Sequence, residues 1–282
     1  RYPLDPPPLN PLLRGQVDSP LSVGVGVIDA LLTCGQGQRM AILAGAGVGK
    51  STLLAMMCRH TEADVTVIGL VGERGREVNK FVRHDLGPEG LKRAVVIAAT
   101  SDHAPAVRVR AARVATAVAE YFRDQGKRVL LLMDSLSRVA MAQRELGLAV
   151  GEPPTTKGYP PSAFAIIPRL LERAGPGVGQ GSITAFYTTL LEGDDLGDPV
   201  GDAVRATTDG HIVLSRKLAE RGQFPAVDVL QSTSRVMTDI VGPEHKRAAQ
   251  TVRTLLADYG EVDELATLGA YKLGTTPRFD RA

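Results

Sequence analysis

The sequence predicts an α/β fold built on a mainly parallel β-sheet, and three observations lead to this prediction. Apolar runs of strand length alternate with amphipathic stretches of helix length, which is typical of parallel strands joined by crossover helices. The runs are almost continuously apolar, as expected for strands covered on both faces. A glycine-rich turn lies between an apolar run and a helix, the arrangement with which α/β proteins bind phosphate.

The predicted elements follow one another in chain order. Residues 1–20 are rich in proline and indicate a linker, and residues 21–37 hold a short apolar segment and turns. Strands are predicted at residues 39–47, 64–72, 94–100, 128–134, 181–190 and 210–216, the first of them running into the glycine-rich turn. Helices are predicted at residues 50–61, 75–86, 103–125, 135–146, 162–175, 244–260 and 261–269. Asp102 is expected to cap the helix at 103–125, with Arg108, Arg110 and Arg113 on its solvated face.

The composition is that of an ordinary globular protein. The chain has 282 residues, 44% hydrophobic and 23% charged, with a formal net charge of +2, so nothing global points to nucleic acid or a membrane surface. There is no tryptophan and only 4% of residues are aromatic, which leaves little material for stacking nucleic-acid bases. No apolar run approaches the roughly 20 residues of a membrane-spanning helix. Cys34 and Cys58 lack metal-binding spacing and indicate reduced thiols in a cytoplasmic protein.

One stretch, LAGAGVGKSTLLAMM at residues 43–57, resembles the phosphate-binding pattern G-x-x-x-x-G-K-[ST], except that Ala44 holds its first position. Small residues let backbone N–H groups wrap phosphates, a lysine reaches the β- and γ-phosphate oxygens, and a hydroxyl group binds Mg²⁺. The candidate nucleotide-binding residues are Gly45, Ala46, Gly47, Val48, Gly49, Lys50, Ser51 and Thr52. The alternative is a glycine-rich turn with an accidental GKS, which the strand before it and the helix after it disfavour.

Two carboxylates follow predicted strands and extend the candidate site. Asp134 ends the apolar run RVLLLMD, where a carboxylate can hold Mg²⁺ through water beside a phosphate loop. Glu73 lies in VGERGRE, after the strand at 64–72, at the edge where open α/β sheets bind ligands. From that edge a carboxylate can polarise the water that attacks a γ-phosphate. A charged surface loop is the alternative interpretation of the segment around Glu73.

Longer blocks of the sequence resemble one known family, the flagellar protein-export ATPases. The resemblance is carried by the segments AGAGVGKSTLL, VGERGREV, DSLSRVAMAQRELGLAVGEPPTTKGYPPSAF, GSITAFYTTLLEGDDLGDPVGDAVRATTDGHIVLSR and PAVDVLQSTSRVM. These ATPases are related to the type III secretion ATPases and to the catalytic subunits of rotary ATPases. The resemblance covers essentially the whole chain. Alanine is common at the first loop position in the export family, so the resemblance implies a working nucleotide site.

The resemblance also implies a domain organisation. It implies a RecA-like P-loop NTPase core with a mainly parallel sheet, followed by part of a C-terminal helical domain. Residues 1–20 would be the linker from an N-terminal β-barrel domain, residues 21–240 the RecA-like ATPase domain, and residues 241–282 part of the helical domain. The chain begins in a proline-rich segment and ends on TTPRFDRA, so we expect it to be a fragment of a longer protein.

Matching positions imply roles for individual side chains. By resemblance, Lys50 would bind the phosphates and Glu73 would act as the general base. Ser51 and Asp134 would hold Mg²⁺, partly through water, and Glu77 would support the same metal site.

Three further positions match the family's catalytic or adenine-binding residues. Arg74 would support the catalytic site. Phe224 stands where an aromatic ring stacks on adenine, with ordinary core packing as the alternative. Arg235 matches an arginine finger that enters the neighbouring subunit's site and stabilises charge on the transferring phosphoryl group; a structural salt bridge is its alternative.

The implied function is that of an enzyme, a Mg²⁺-dependent ATPase that powers protein export through the flagellar type III secretion apparatus. Because one chain carries both Glu73 and Arg235, it can form a homohexamer with six equivalent sites. The implied cofactors are ATP and Mg²⁺. The implied partners are stalk and regulator proteins, the export gate, and secreted substrates with their chaperones. The loop at residues 156–164 would face the central channel. We expect a cytoplasmic location at the export apparatus, peripheral to the membrane at most, with no nucleic-acid partner.

Other functions of the same fold stay open at this point. A virulence-type secretion ATPase shares these motifs, and a catalytic subunit of a rotary ATP synthase would need a non-catalytic partner chain. A nucleic-acid translocase of the transcription-terminator type is disfavoured by the near-neutral charge and the scarcity of aromatic residues. A nucleotide-gated scaffold without productive hydrolysis is disfavoured by the presence of Glu73 and Arg235.

Overall fold

The computed structural model describes residues 2–271, 274 and 277–281. Within these residues, eight strands form one sheet in the order β3-β2-β4-β6-β1-β7-β8, with β5 paired to β6. The strands are β1 (Arg39–Ala44), β2 (Val65–Val71), β3 (Ala94–Ala99), β4 (Arg128–Asp134), β5 (Gly175–Pro176), β6 (Ser182–Leu190), β7 (Gly210–Leu214) and β8 (Val227–Ser234). Only β5 and β8 run antiparallel to their neighbours. The predicted α/β fold with a mainly parallel sheet is therefore confirmed.

Helices connect most of these strands. In chain order they are α1 (Gly26–Leu31), α2 (Lys50–His60), α3 (Gly75–Lys80), α4 (Gly87–Leu91), α5 (Pro105–Asp124), α6 (Leu136–Ala149), α7 (Pro161–Leu171), α8 (Pro199–Thr207), α9 (Arg216–Glu220), α10 (Met237–Ile240) and α11 (Pro243–Thr267). A π-helical turn, Phe81–Leu86, joins α3 to α4. The two helices predicted at 244–260 and 261–269 form the single helix α11. Of the region predicted at 241–282, residues 272, 273, 275, 276 and 282 lie outside the described residues.

Both faces of the sheet are covered by apolar side chains, which explains the continuous apolar runs. In β4, Val129, Leu131 and Met133 belong to one buried cluster, with side chains of α5, α6 and α7. Leu130 and Leu132 belong to a second cluster on the other face, with side chains of α1 and α2. Successive side chains of a strand point to opposite faces, so a strand with both faces buried needs an apolar residue at nearly every position.

The order of the strands positions the candidate site. The carboxyl ends of β2, β4, β6 and β1 lie side by side at one edge of the sheet. Asp134 at the end of β4 pairs with Leu70 of β2, and Met133 pairs with Tyr187 of β6. Leu43 of β1 pairs with Thr189 of β6. Segments that are far apart in sequence therefore deliver their last residues to one crevice, where open α/β sheets bind ligands.

The start of α5 differs from the prediction. The helix begins at Pro105, Ala104 occupies the N-cap position, and no side chain caps the helix. Asp102 instead accepts a hydrogen bond from the hydroxyl of Thr100, so the predicted cap is wrong. Proline at the first helical position lacks the N–H group that a cap would satisfy, and its fixed φ already suits the helix.

The expected solvated face of α5 is also wrong in part. Arg108 is buried, with 9% of its surface exposed, and its guanidinium donates to Glu145 of α6 at 2.8 Å and to the carbonyl of His103 at 3.1 Å. Arg113 forms an ion pair with Asp5 at 3.0 Å. Arg108 is used to join two helices, because a long cationic side chain can pack its stem and pair its head.

The proline-rich start of the chain lies against β5, at the end of the sheet opposite the candidate site. A short 3₁₀-helix, Pro11–Leu13, precedes Arg14. The Arg14 guanidinium donates to the carbonyls of Glu172 at 2.8 Å and Pro176 at 3.0 Å.

None of the helices in the described part of the chain has the length and apolar character that crossing a membrane requires.

Candidate nucleotide-binding site

The phosphate loop joins β1 to α2 in the predicted way. Gly47 and Gly49 have positive φ angles of 79° and 93°, a conformation that glycine adopts without steric cost. Val48 between them is 1% exposed, so it anchors the loop in the core. Helix α2 then begins at Lys50, and no side chain caps its first turn. The free N–H groups and the helix dipole of such a turn favour an anion.

The alanine at the first loop position fits without distortion. Ala44 is the last residue of β1 and pairs with Leu190 of β6 and Leu214 of β7. Its side chain is fully buried in the core on the α2 face of the sheet. A residue with strand geometry needs no glycine, so the departure from the sequence pattern leaves the loop intact.

Lys50 lies between two carboxylates. Its Nζ atom is 2.6 Å from Oδ1 of Asp134 and 3.5 Å from Oε1 of Glu73. Burial favours the neutral amine, but the two carboxylates outweigh it, so the pKa of Lys50 lies above its ordinary value. The ammonium group is therefore charged, and it stands at the mouth of the phosphate loop where a phosphate oxygen would meet it.

Asp134 is held from two sides. Its Oδ1 atom accepts hydrogen bonds from Lys50 and from the hydroxyl of Thr188, the latter at 2.7 Å. Asp134 is 3% exposed, and its Oδ2 atom accepts no hydrogen bond from the described residues. Thr188 comes from the central strand β6, and the sequence prediction missed it because a threonine within a strand carries no distinctive signal.

Glu73 has the electrostatics of a proton acceptor. Burial and the charge of Asp134 raise its pKa, which Lys50 partly offsets. A raised pKa brings a carboxylate closer to the neutral range in which a general base works. The neighbouring Glu77 carboxyl group raises the pKa of Glu73 further.

Arg138 is a second residue that the sequence prediction missed. It lies in the first turn of α6, four residues after Asp134, and its charge lowers the pKa of Glu73. The buried Nε atom of Arg138 has no hydrogen-bond partner among the described residues. Leaving a buried donor unpaired is costly, and the Nε atom of Arg138 carries this cost in the structure. The sequence did contain a signal for Arg138, namely a positively charged residue one helical turn after Asp134, the carboxylate that ends β4.

Two predicted supporting residues lie at the rim. Arg74 and Glu77 form an ion pair at 3.6 Å, with 70% and 45% of their side chains exposed. Arg74 occupies the N-cap position of α3 and makes no side-chain cap. The structure thus links Glu77 to the site through Glu73, whereas Arg74 points outward.

The protein offers oxygen atoms for a magnesium ion but no complete cage. Among the described residues, no three His, Cys, Asp or Glu side chains cluster in a metal-binding arrangement. Ser51 is exposed in the first turn of α2, and Asp134 has the free Oδ2 atom. Magnesium prefers oxygen ligands and usually keeps water and phosphate oxygens around one or two protein groups, so this donor set fits it.

Phe224 lies beside the phosphate loop. Its ring is 3.5 Å from where a β-carbon on Gly49 would stand, and 63% of the residue is exposed. A ring this exposed is not packed in the core, which was the alternative interpretation of Phe224. The π-face is free to stack on a planar base.

Arg235 lies at the other end of the sheet. It follows Ser234, which pairs with Gly210 at the start of β7, whereas the phosphate loop follows Ala44, which pairs with Leu214 at the end of β7. Strands rise about 3.3 Å per residue, so roughly 13 Å of strand separates the two ends. Arg235 is exposed and forms no ion pair with the described residues, so the salt-bridge alternative finds no support among them.

Comparisons with known proteins agree with this geometry. The sequence profile of the ATP synthase alpha/beta family, nucleotide-binding domain, matches residues 24–234. The profile of the T3SS EscN ATPase C-terminal domain matches residues 241–282.

Two curated relatives and one solved structure cover nearly all of the chain. The flagellum-specific ATP synthase of Bacillus subtilis is 58% identical over 275 residues, 98% of this chain and 63% of the relative. The type 3 secretion system ATPase of Xanthomonas euvesicatoria is 55% identical over 273 residues, 97% of this chain and 62% of the relative. The assembled ATPase EscN in complex with its central stalk EscO, from enteropathogenic E. coli, is 52% identical with a TM-score of 0.91, covering 99% of this chain and 67% of that one.

The chain spans less than two thirds of the length of these curated relatives. The sheet from β1 to β8 nevertheless belongs to a fold similar to that of EscN. The family profile covers most of the chain, and these relatives are more than 50% identical to it in sequence. Together the two findings establish the family. The chain belongs to the ATP synthase alpha/beta family and contains its nucleotide-binding domain.

Proposed function

We propose that this chain is the catalytic part of a Mg²⁺-dependent ATPase that drives protein export through a flagellar type III secretion apparatus. The observation that carries the proposal is the cluster of Lys50, Asp134 and Glu73 at the mouth of the phosphate loop. A charged lysine, a buried carboxylate with a free oxygen and a carboxylate of raised pKa are the groups that phosphoryl transfer to water requires.

In the proposed reaction, the amides of the phosphate loop and Lys50 bind the phosphates of ATP, and Phe224 stacks on the adenine. Ser51 and Asp134 would hold Mg²⁺, with Glu77 at the rim, and the ion would neutralise charge on the phosphates. Glu73 accepts a proton from the attacking water, whose oxygen bonds to the γ-phosphorus as the bond to ADP breaks.

Arg235 is proposed to act in a neighbouring copy. It lies at the end of β7 opposite the phosphate loop of its own chain, and a guanidinium there can stabilise the transferring phosphoryl group only in another subunit's site. Arg74, at the rim of the same crevice, would support that contact. A homohexamer in which each chain carries both Glu73 and Arg235 would have six equivalent sites. The assembled state of the related ATPase EscN supports this arrangement.

The export role is proposed from the relatives. Chains named for the flagellum and for type 3 secretion are similarly close, at 58% and 55% identity, so a virulence secretion ATPase is the second candidate and a rotary catalytic subunit the third. The related complex with a central stalk supports a stalk partner. We further propose regulator, export-gate, chaperone and cargo partners, and a location at the cytoplasmic face of the apparatus.

The domain division is proposed on the same basis. Residues 1–20 would link to a preceding domain, residues 21–240 would form the RecA-like ATPase domain, and residues 241–282 would form part of the helical domain. The bounds of the two matched profiles, 24–234 and 241–282, support this division.

Phosphate release measured against protein concentration tests the catalytic proposal. Specific activity should rise with concentration, because a second chain completes the site. Arg235→Ala should abolish activity by removing that chain's contribution, and Glu73→Gln should abolish it by removing the proton acceptor. Arg110→Ala, an exposed arginine on α5, is the matched control and should behave as the wild type. Activity that is flat with concentration and insensitive to Arg235→Ala would refute the shared site. Strong stimulation by RNA would favour a nucleic-acid translocase instead.

A further inference from the structure

An ion pair on the outer side of the phosphate loop has no part in the chemistry proposed above. The Nε atom of Arg216 is 2.8 Å from Oδ2 of Asp194, and its Nη2 atom is 3.4 Å from Oδ1 of the same residue. That Nη2 atom also donates to the backbone carbonyl of Ala46 at 3.1 Å. One guanidinium therefore joins the loop to a carboxylate from another segment.

The two charged residues approach the loop from the strands on either side of it. Arg216 is the first residue of α9, directly after β7, and Asp194 ends a short 3₁₀ turn after β6. Both β6 and β7 pair with β1, the strand that leads into the loop. The loop is thus braced against both neighbours of its own strand.

The brace also explains why glycine is needed at position 45. A β-carbon built on Gly45 would lie 1.8 Å from Oδ1 of Asp194 and 3.0 Å from Nη2 of Arg216. Gly45 has no positive φ angle, so the requirement comes from the close approach of the carboxylate and not from the turn.

Orientation of the loop is what this contact can control. A loop that binds phosphate must turn its N–H groups inward, so its carbonyls point away from the ligand. A charged donor held on one of those carbonyls favours that arrangement over others. Asp194 itself has a φ of +58°, an uncommon conformation for a residue other than glycine, which persists only where the surroundings fix it.

Stability of the whole domain is not the main effect to expect. The side chains of Arg216 and Asp194 are 45% and 39% exposed, and ion pairs at such positions contribute little to folding. The contact with Ala46 acts locally, on a loop that must keep one conformation to bind its ligand.

We propose that Arg216 and Asp194 are positioning residues for the phosphate loop: they hold the Ala46 carbonyl outward, so that the loop amides face the bound phosphates, and they thereby set nucleotide affinity. The inference rests on the proposed ATPase function and adds two residues to it.

Calorimetric binding of ADP with Mg²⁺, combined with steady-state ATP hydrolysis, tests this. Loss of this solvent-exposed hydrogen bond in Arg216→Gln should weaken ADP binding and raise the KM for ATP about 5- to 10-fold. The kcat should stay within about 2-fold, because Arg216 touches no reacting atom. Arg216→Lys keeps a charged donor and should recover most of the affinity, and Asp194→Asn should weaken binding less than Arg216→Gln does.

Arg205→Gln is the matched control. Arg205 forms an exposed ion pair with Asp202 at 3.0 Å on α8, and its loss should leave ADP affinity unchanged. The melting temperatures of the Arg216 and Arg205 variants should be similar.

Wild-type affinity in Arg216→Gln, an equal loss in Arg205→Gln, or a fall in kcat at unchanged affinity would each overturn the inference. If Arg216→Gln does not fold, Asp194→Asn and Arg216→Lys decide. If the wild-type chain neither binds ADP nor hydrolyses ATP, the proposed function is wrong. If the wild-type chain is active and Arg216→Gln binds ADP equally well, only the inference about Arg216 and Asp194 is wrong.

Discussion

Replacing Asp134 by asparagine should destabilise the nucleotide-free chain by about 3 kcal/mol. The substitution keeps the shape of the side chain and removes its charge. Lys50, whose side chain is 14% exposed, then loses the carboxylate at 2.6 Å and retains only Glu73 at 3.5 Å. Thr188 can still donate to the amide oxygen, so the loss is mainly the compensation of the lysine charge.

The size of the effect follows from burial. Removing one partner of a buried ion pair typically costs about 3–5 kcal/mol, because the other charge is left uncompensated. Glu73 remains nearby, which places this case at the lower end of the range. For a domain of this size about 3 kcal/mol corresponds to roughly 6–12 °C in melting temperature.

Thermal unfolding followed by circular dichroism, without nucleotide at neutral pH, measures the shift. Asp64→Asn is the matched control, since Asp64 pairs with Arg128 at 3.0 Å and the two side chains are 35% and 41% exposed. Exposed pairs contribute about 0–1 kcal/mol, so the control should melt within a few degrees of the wild type.

The charge argument can be contradicted in two ways. Equal melting temperatures for Asp134→Asn and Asp64→Asn would show that Lys50 is not stabilised by Asp134. Adding Lys50→Met to Asp134→Asn should restore at least part of the stability, because no buried charge is then left unpaired. A double variant less stable than either single variant would refute the reasoning.

The remaining predictions concern the same cluster. Glu73→Gln should abolish hydrolysis and preserve ADP binding, because the amide keeps the shape but accepts no proton; phosphate release and calorimetry check this. Since burial and Asp134 raise the pKa of Glu73 when the chain is folded, the folded state binds that proton more readily. The stability of the wild type relative to Glu73→Gln should therefore fall as the pH rises above the ordinary value of 4.5, which urea unfolding of both chains over roughly pH 4 to 8 measures. Thr188→Val should cost about 1.5–3 kcal/mol by removing a hydrogen bond to a charged group. Thr189→Val should be neutral or stabilising, because that hydroxyl is buried without a partner among the described residues; equal losses in the two valine variants would contradict the assignment.

The central strands could be predicted from sequence because burial on both faces leaves a local trace. The runs predicted at 64–72 and 128–134 differ from the central strands β2 and β4 by no more than one residue at either end. The edge strand β8 left no such trace. Its sequence VDVLQSTS is largely polar, and its residues alternate irregularly between buried and exposed, so only the pairing with β7 reveals it.

At the candidate site, too, residues with a local sequence signal could be predicted and residues brought in by the strand order could not. Lys50 and Ser51 lie within one local motif, and Asp134 and Glu73 follow strands, so each has a signal in its neighbourhood. Thr188 reaches Asp134 from a strand 54 residues away, because β6 inserts between β4 and β1 in the sheet. Arg216 meets Ala46 across 170 residues. Such contacts are set by strand order, which local sequence patterns do not encode.

The exposed ring of Phe224 marks a position for a fluorescent probe of nucleotide binding. The sequence contains no tryptophan, so Phe224→Trp would introduce a single indole beside the phosphate loop, at a position where the phenylalanine is largely exposed to water. Indole fluorescence is sensitive to stacking and to solvent. One substitution would thus turn nucleotide binding and release into an optical signal that comes from the one indole of the chain.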